Sequence, residues 1–149
     1  MIAFYDAKYH CLVWRPVTAI RLGDSIGNPA ITGDPGWTPL AVTAPDPSYP
    51  GAHSTISAAG ASVLSAFFDG DGRIDVTSDA LPGTVRSFTS YRAIATEAGL
   101  SRIYAGQHTP LDDVAGQLLG AQDAQFVLGR SRSENFGSRA AAASAAGGY

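Results

Sequence analysis

The sequence predicts an all-α fold: a bundle of about four helices interrupted by one long loop rich in proline and glycine. Three observations predict it. Apolar residues recur every three or four positions in several separated stretches. Most of the nine prolines crowd into one segment, residues 22–51. Helix-start chemistry precedes the last stretch, where Thr109-Pro110-Leu111-Asp112 supplies an N-cap hydroxyl, a proline at the first helical position and an acid at the third. With 149 residues, 45% hydrophobic and 15% charged, the chain suffices for one domain with a core.

The elements follow in order. Ile2 to Val17 reads as one helix, with Phe4, Tyr5, Cys11, Leu12 and Trp14 available for burial and Pro16 ending or kinking it. On such a helix Lys8 and Arg15 lie two turns apart on one face. Leu22 to Gly51 has no periodicity, and a segment that long without regular structure often forms a functional loop. Trp37 is its expected anchor to the core.

His53 to Phe68 is the second helix, with a stripe of Ile56, Ala59, Gly60, Val63, Leu64 and Phe67. Its many Ala, Gly and Ser residues imply close packing. Asp69 to Pro82 reads as a loop. Its Asp-Gly-Asp-Gly run hints at calcium, but an EF-hand frame turning at Gly72 places Phe67 first and Ser78 last, so the bidentate acid is missing. Arg86 to Tyr104 is the third helix, with Phe88, Tyr91, Ile94, Ala95 and Leu100 inward. Thr109 to Leu128 is the fourth, using Leu111, Val114, Leu118 and Phe126. Residues 1–128 then form the helical domain, and the small, polar residues 129–149 a mobile tail.

Composition narrows the partners. A net charge of −3 gives no reason to expect nucleic acid or an anionic membrane. The single cysteine excludes an intramolecular disulfide and a thiolate metal cluster, and Cys11 reads as a small buried residue. No apolar run is long enough to span a membrane, and no basic-then-apolar leader is present. The first residues look like a helix interior, which suggests a fragment, or a bundle completed by a partner chain such as a second copy.

Nine arginines stand against one lysine, Lys8, and arginine's planar fork suits anions. Three groups carry candidate chemistry. Lys8 and Arg15 form the first. Tyr49-Pro50-Gly51-Ala52-His53-Ser54 is the second, where Pro-Gly permits close backbone approach and the Gly51 and Ala52 amides point into a helix start. His53 at that start is poised for proton transfer. The third is Ser101 to Asp112, with Arg102 one short turn from His108 at the entry to another helix. Each group alone also reads as an ordinary solvated face or cap. Together they supply what is needed to hold a tetrahedral or trigonal oxyanion.

These spacings resemble the three-part signature of the vanadium-dependent haloperoxidase and type 2 phosphatidic acid phosphatase superfamily. Lys8, six residues and Arg15-Pro16 resemble its first part; Pro50-Gly51-Ala52-His53 its Pro-Ser-Gly-His second; Ser101-Arg102, five residues, His108, three residues and Asp112 its third. The surroundings are more similar to the soluble haloperoxidase branch. The resemblance implies part of a larger haloperoxidase-type bundle, from which upstream helices are absent. It implies vanadate as cofactor, with Lys8, Arg15, Arg102 and the Gly51 and Ala52 turn on its oxygens. His53 would be the acid–base group, and His108 the vanadium ligand or, in a phosphatase, the nucleophile. Asp112 either orients His108 or caps its helix.

The implied reaction is oxidation of a halide by hydrogen peroxide. The alternatives are phosphate-ester hydrolysis through a phosphohistidine and an inactive structural fragment. Two positions depart from the pattern. Gly51 replaces the usual serine, removing a hydroxyl donor. Asp46 stands where haloperoxidases often carry an aromatic near the halide, and a carboxylate facing the pocket would disfavour chloride relative to bromide or iodide. The resemblance leaves export of a longer parent open and the compartment unassigned.

Overall fold

The computed structural model describes residues 2–68 and 71–146, with side chains described through residue 131 except at Asp71. Helix α1 spans Ile2–Cys11. It stops where Leu12 takes a left-handed φ of 51° and returns its N–H to the Lys8 carbonyl at 2.9 Å. Arg15 is extended, and Pro16 opens a second helix, α2, over Pro16–Arg21. The expected single helix over Ile2 to Val17 is thus two. The residue before a proline avoids helical angles, while the proline itself is preset for a first turn. Lys8 and Arg15 consequently sit on separate elements instead of one helix face. Cys11 is exposed, not buried.

A 3₁₀ turn at Gly23–Ile26 follows, and residues 27–51 form the long irregular loop. Backbone and side-chain bonds stitch it to three places. Arg21 Nε donates to the Trp37 carbonyl at 2.8 Å. Ser48 N–H donates to the Val13 carbonyl at 2.9 Å, and Gly51 N–H to the Asp112 carbonyl at 2.8 Å. Trp37 packs over Gly106, where an added Cβ would lie 2.8 Å from the indole. Gly106 has φ 72°, so both its backbone and its neighbour require glycine.

Helix α3, Ala52–Phe67, packs mainly against α4, Tyr91–Tyr104, and α5, Pro110–Ala146. Small residues set the closeness of the α3–α5 contact: a Cβ at Gly120 would strike the Thr55 carbonyl. Phe4, Ala58, Ala95 and Ala124 are buried, while Ile56, Phe67, Leu111, Val114, Leu118 and Phe126 are exposed. The expected core stripes of α3 and α5 therefore turn largely outward, because the small-residue faces of the two helices meet instead.

Between α3 and α4 lies an antiparallel hairpin, β1 Asp71–Thr77 and β2 Val85–Ser90, pairing Ile74 with Phe88 and Val76 with Arg86. The expected loop over Asp69 to Pro82 and the expected helix start at Arg86 give way to it. Alternating Ile74 and Val76 suit a strand, and Ser90 caps α4 by accepting from Ala93 N–H at 3.1 Å. Asp69 and Gly70 of the calcium-like run lie outside the described residues; Asp75 accepts from Arg73 and Ser87. Helix α5 continues through Ala146, past the Gly129 position where a tail was expected to begin. Residues 147–149 lie outside the described residues. No helix among the described residues is long and apolar enough to cross a membrane.

Candidate oxyanion site

The site is built where the loop, the α3 start and the α4–α5 turn meet. Helix α4 ends at Tyr104, and the left-handed turn at Gly106 lets Gln107 N–H close on the Arg102 carbonyl at 2.9 Å. That turn delivers His108 to the mouth of α5. Thr109 and Asp112 then cap each other: Thr109 N–H donates to Asp112 Oδ2 at 2.7 Å, and Asp112 N–H to Thr109 Oγ1 at 3.3 Å.

Asp112 does more than cap. Its Oδ2 also accepts from the Ser48 hydroxyl at 2.7 Å and stands 3.4 Å from His108 Nδ1. On the far side of the imidazole, Arg15 Nη1 lies 3.1 Å from His108 Nε2. A guanidinium only donates, so Nε2 is the acceptor and the ring proton sits on Nδ1, toward Asp112 and Ser48. Both sequence alternatives for Asp112, orienting His108 and capping the helix, therefore hold in the geometry. Burial pushes the Asp112 carboxyl up, but bonds from His108, Thr109 and Ser48 outweigh it and bring it to about 2.

Lys8 is fully buried, and burial pushes its ammonium below the ordinary lysine value despite Asp46. Its Nζ donates to the Pro47 carbonyl, to the Ser48 carbonyl at 3.2 Å and to Asp46 Oδ2 at 3.0 Å. Arg15, also buried, donates Nε to the Asp46 carbonyl at 2.9 Å, Nη2 to Asp46 Oδ1 at 3.0 Å and Nη1 to the Gln107 carbonyl at 3.0 Å. Although burial pushes the Asp46 carboxyl up, these two cations hold it below the ordinary carboxylate range. Breaking the helix at Leu12 costs Lys8 and Arg15 their common face, yet a single carboxylate rejoins them.

Arg102 and His53 complete the set. Arg102 Nε is buried and has no hydrogen-bond partner among the described residues. His53, exposed in the first turn of α3, is lowered from its ordinary value first by partial desolvation and then by the charges of Arg102, Arg15 and Lys8. All three cations thus bear on one imidazole. Ala52 opens α3, so its N–H has no acceptor within the helix.

The structure brings Lys8, Arg15, Ala52, His53, Arg102, His108 and Asp112 to one region. Gly51 is the exception: its N–H is spent on the Asp112 carbonyl, because the loop passes directly beneath the start of α5. An added Cβ at Gly51 would lie 3.1 Å from that carbonyl and 3.1 Å from Ser54 Oγ. The position therefore serves the close approach of loop and helix, and no free amide remains there for an anion.

Sequence reasoning missed Ser48 and Gln107, both fully buried. Ser48 supports Asp112, and Gln107 lends its carbonyl to Arg15 and its side-chain amide to the Ala41 carbonyl at 2.7 Å. Only adjacency to Pro50 and His108 marks them in the sequence. Asp46 was visible, but its pairing with Lys8 and Arg15 was not.

Comparison with known proteins adds three findings. A family model described as the VCPO second helical-bundle domain matches residues 1–135. The crystal structure of a bacterial vanadium-dependent iodoperoxidase superposes with a TM-score of 0.73 at 31% identity, over 86% of this chain and 29% of the other. The holo-type and apo-type structures of a bacterial vanadium-dependent chloroperoxidase each give a TM-score of 0.64 at 20% identity, over 83% and 81% of this chain and 31% of theirs. The chain thus spans less than a third of the length of these structures. No curated protein matches it.

Proposed function

The chain belongs to the VCPO second helical-bundle domain family, within the vanadium haloperoxidase superfamily, and on that premise we propose that it carries the oxyanion site of a vanadate-dependent haloperoxidase. The observation that carries the reading is Arg102, whose buried Nε has no partner among the described residues and whose charge, with those of Arg15 and Lys8, bears on His53.

The residues fit vanadate on that test. An anion gives the Arg102 Nε the acceptor it lacks, and the Ala52 N–H at the α3 start adds a second donor. His108 carries its ring lone pair on Nε2, where it accepts from Arg15 Nη1; with the tautomer held by Asp112 and Ser48, His108 would ligate the metal by giving up that one contact. Bound vanadate supplies Lewis-acid activation of hydrogen peroxide for two-electron oxidation of a halide. His53, beside the bound group, would be the residue that accepts and returns a proton at its imidazole. Asp46 is already neutralised by Lys8 and Arg15, so its effect on halide entry is weaker than that of a bare carboxylate. Bromide and iodide remain the favoured halides.

The His108 tautomer equally suits attack on a phosphate ester, which is the second reading. Incubation with vanadate, hydrogen peroxide and bromide or iodide, read by bromination of a phenol-red-type dye or by triiodide formation, tests the first. Turnover of a chromogenic phosphate ester, inhibited by vanadate, would favour the second. Neither activity, in a chain that binds vanadate, would leave an anion-binding domain without turnover of its own.

A further inference from the structure

All three Lys8 donors and four of the five Arg15 donors are already engaged within the protein. An ammonium has three N–H bonds, and those of Lys8 go to the Pro47 carbonyl, the Ser48 carbonyl and Asp46 Oδ2. Arg15 meets the Asp46 carbonyl, Asp46 Oδ1, the Gln107 carbonyl and His108 Nε2. An oxyanion that bonds both cations must displace one of these acceptors. The Asp46, Pro47 and Ser48 carbonyls belong to a loop tied down at Val13 and Asp112, the Gln107 carbonyl belongs to the α4–α5 turn closed on Arg102, and releasing His108 would free Arg15 alone. Of these acceptors, only the Asp46 carboxylate is a side-chain group shared by both cations. It is also the group with access to water, at 18% side-chain exposure against 0% for Lys8 and 8% for Arg15. It lines a cleft of about 300 Å³ with Leu12, Trp14 and Thr43, which gives it somewhere to go.

We propose that Asp46 is an internal counter-anion: its carboxylate occupies Lys8 and Arg15 in the empty protein, and an incoming oxyanion takes its place on both. The two-point ion pair keeps two buried cations satisfied when nothing is bound, which isolated buried charges otherwise make costly. Its consequence is selectivity. Arg102 and Ala52 offer an anion its first contacts, but the full set of cations is reached only by a ligand that outcompetes a carboxylate. A tetrahedral oxyanion, which presents several acceptor oxygens to both cations at once, does so, and a halide does not. Asp46 thereby sets both the strength of anion binding and which anions succeed. The proposal rests on the oxyanion-site reading above.

The experiment is calorimetric titration of orthovanadate and of inorganic phosphate into the wild-type chain, Asp46→Asn and Arg102→Ala. The expected result is at least tenfold tighter binding of both anions to Asp46→Asn, with binding to Arg102→Ala lost. Equal or weaker binding to Asp46→Asn, alongside measurable wild-type binding, overturns the proposal and leaves the site reading standing. No binding to either overturns the site reading and the proposal with it. Because Asp46→Asn leaves two buried cations less compensated, a second measurement uses the unaltered chain: ¹³C NMR of side-chain carboxylates during a phosphate titration. The Asp46 resonance is expected to move as its ion pairs break. A binding isotherm with an unmoved Asp46 signal overturns the proposal.

Discussion

Asp112 Oδ2 stands 3.4 Å from His108 Nδ1 while holding the Ser48 hydroxyl and the Thr109 N–H at 2.7 Å each. One carboxylate therefore closes the α5 start and fixes which imidazole nitrogen faces the cations. Replacing it by alanine leaves the buried Ser48 hydroxyl and the part-buried Thr109 N–H without an acceptor. Asp112→Ala is expected to lose about 2–4 kcal/mol of stability in urea unfolding, at roughly 1–3 kcal/mol for each stranded group with partial relaxation. A loss below about 1 kcal/mol would show that Asp112 is not holding the helix start.

Acid stability follows from the same group. Asp112 titrates at about 2 against an ordinary 3.8, so the folded state holds its proton less tightly than the unfolded chain. Its contribution is present in full above 3.8 and is lost as pH falls toward 2, amounting to about 2 kcal/mol. Urea unfolding from pH 5 to pH 2 is expected to show that loss in the wild type, with a flatter profile in Asp112→Asn.

His53 titrates below its ordinary value because of partial desolvation and the positive charges of Arg102, Arg15 and Lys8. A bound oxyanion cancels part of that field, so its midpoint is expected to rise when phosphate or vanadate is present. In the empty protein the unfolded chain takes up this proton first, and the His53 contribution to stability falls as pH drops below 6.5. Histidine NMR titration with and without phosphate reads the shift; an unchanged midpoint would place the anion away from His53.

Tight contact of α3 with α5 depends on the absence of a side chain at Gly120. Gly120→Val forces its side chain into the Thr55 carbonyl and is expected to cost about 3 kcal/mol or more, seen as a lowered thermal midpoint. An unchanged midpoint would contradict the described packing of these helices.

Much of this was legible in the sequence, and the failures have physical causes. The cap Thr109-Pro110-Leu111-Asp112 announced α5, because N-cap hydroxyl, N1 proline and N3 acid act locally. The same locality misled at Pro16: a helix stop was readable, but not that α2 starts on the same residue. Residues 86–90 carry apolar positions compatible with either period, and only pairing with β1 decides for a strand. Leu111, Val114, Leu118 and Phe126 mark a helix face correctly, but whether that face is covered depends on what lies against it. At the site, the residue types were visible from spacing. The acceptors that occupy Lys8 and Arg15 were not, because Asp46, Pro47 and Ser48 reach them across separations of 31 to 40 residues.

The central claim is that separated segments converge on one oxyanion, and ⁵¹V NMR of orthovanadate with the wild-type chain and Arg102→Ala tests it most directly. Because Arg102 Nε bonds to nothing among the described residues, Arg102→Ala is expected to keep its fold within about 1 kcal/mol. The account predicts one bound vanadate per wild-type chain, displaced by phosphate and lost in Arg102→Ala. Vanadate bound equally by both proteins, or by neither, would contradict it.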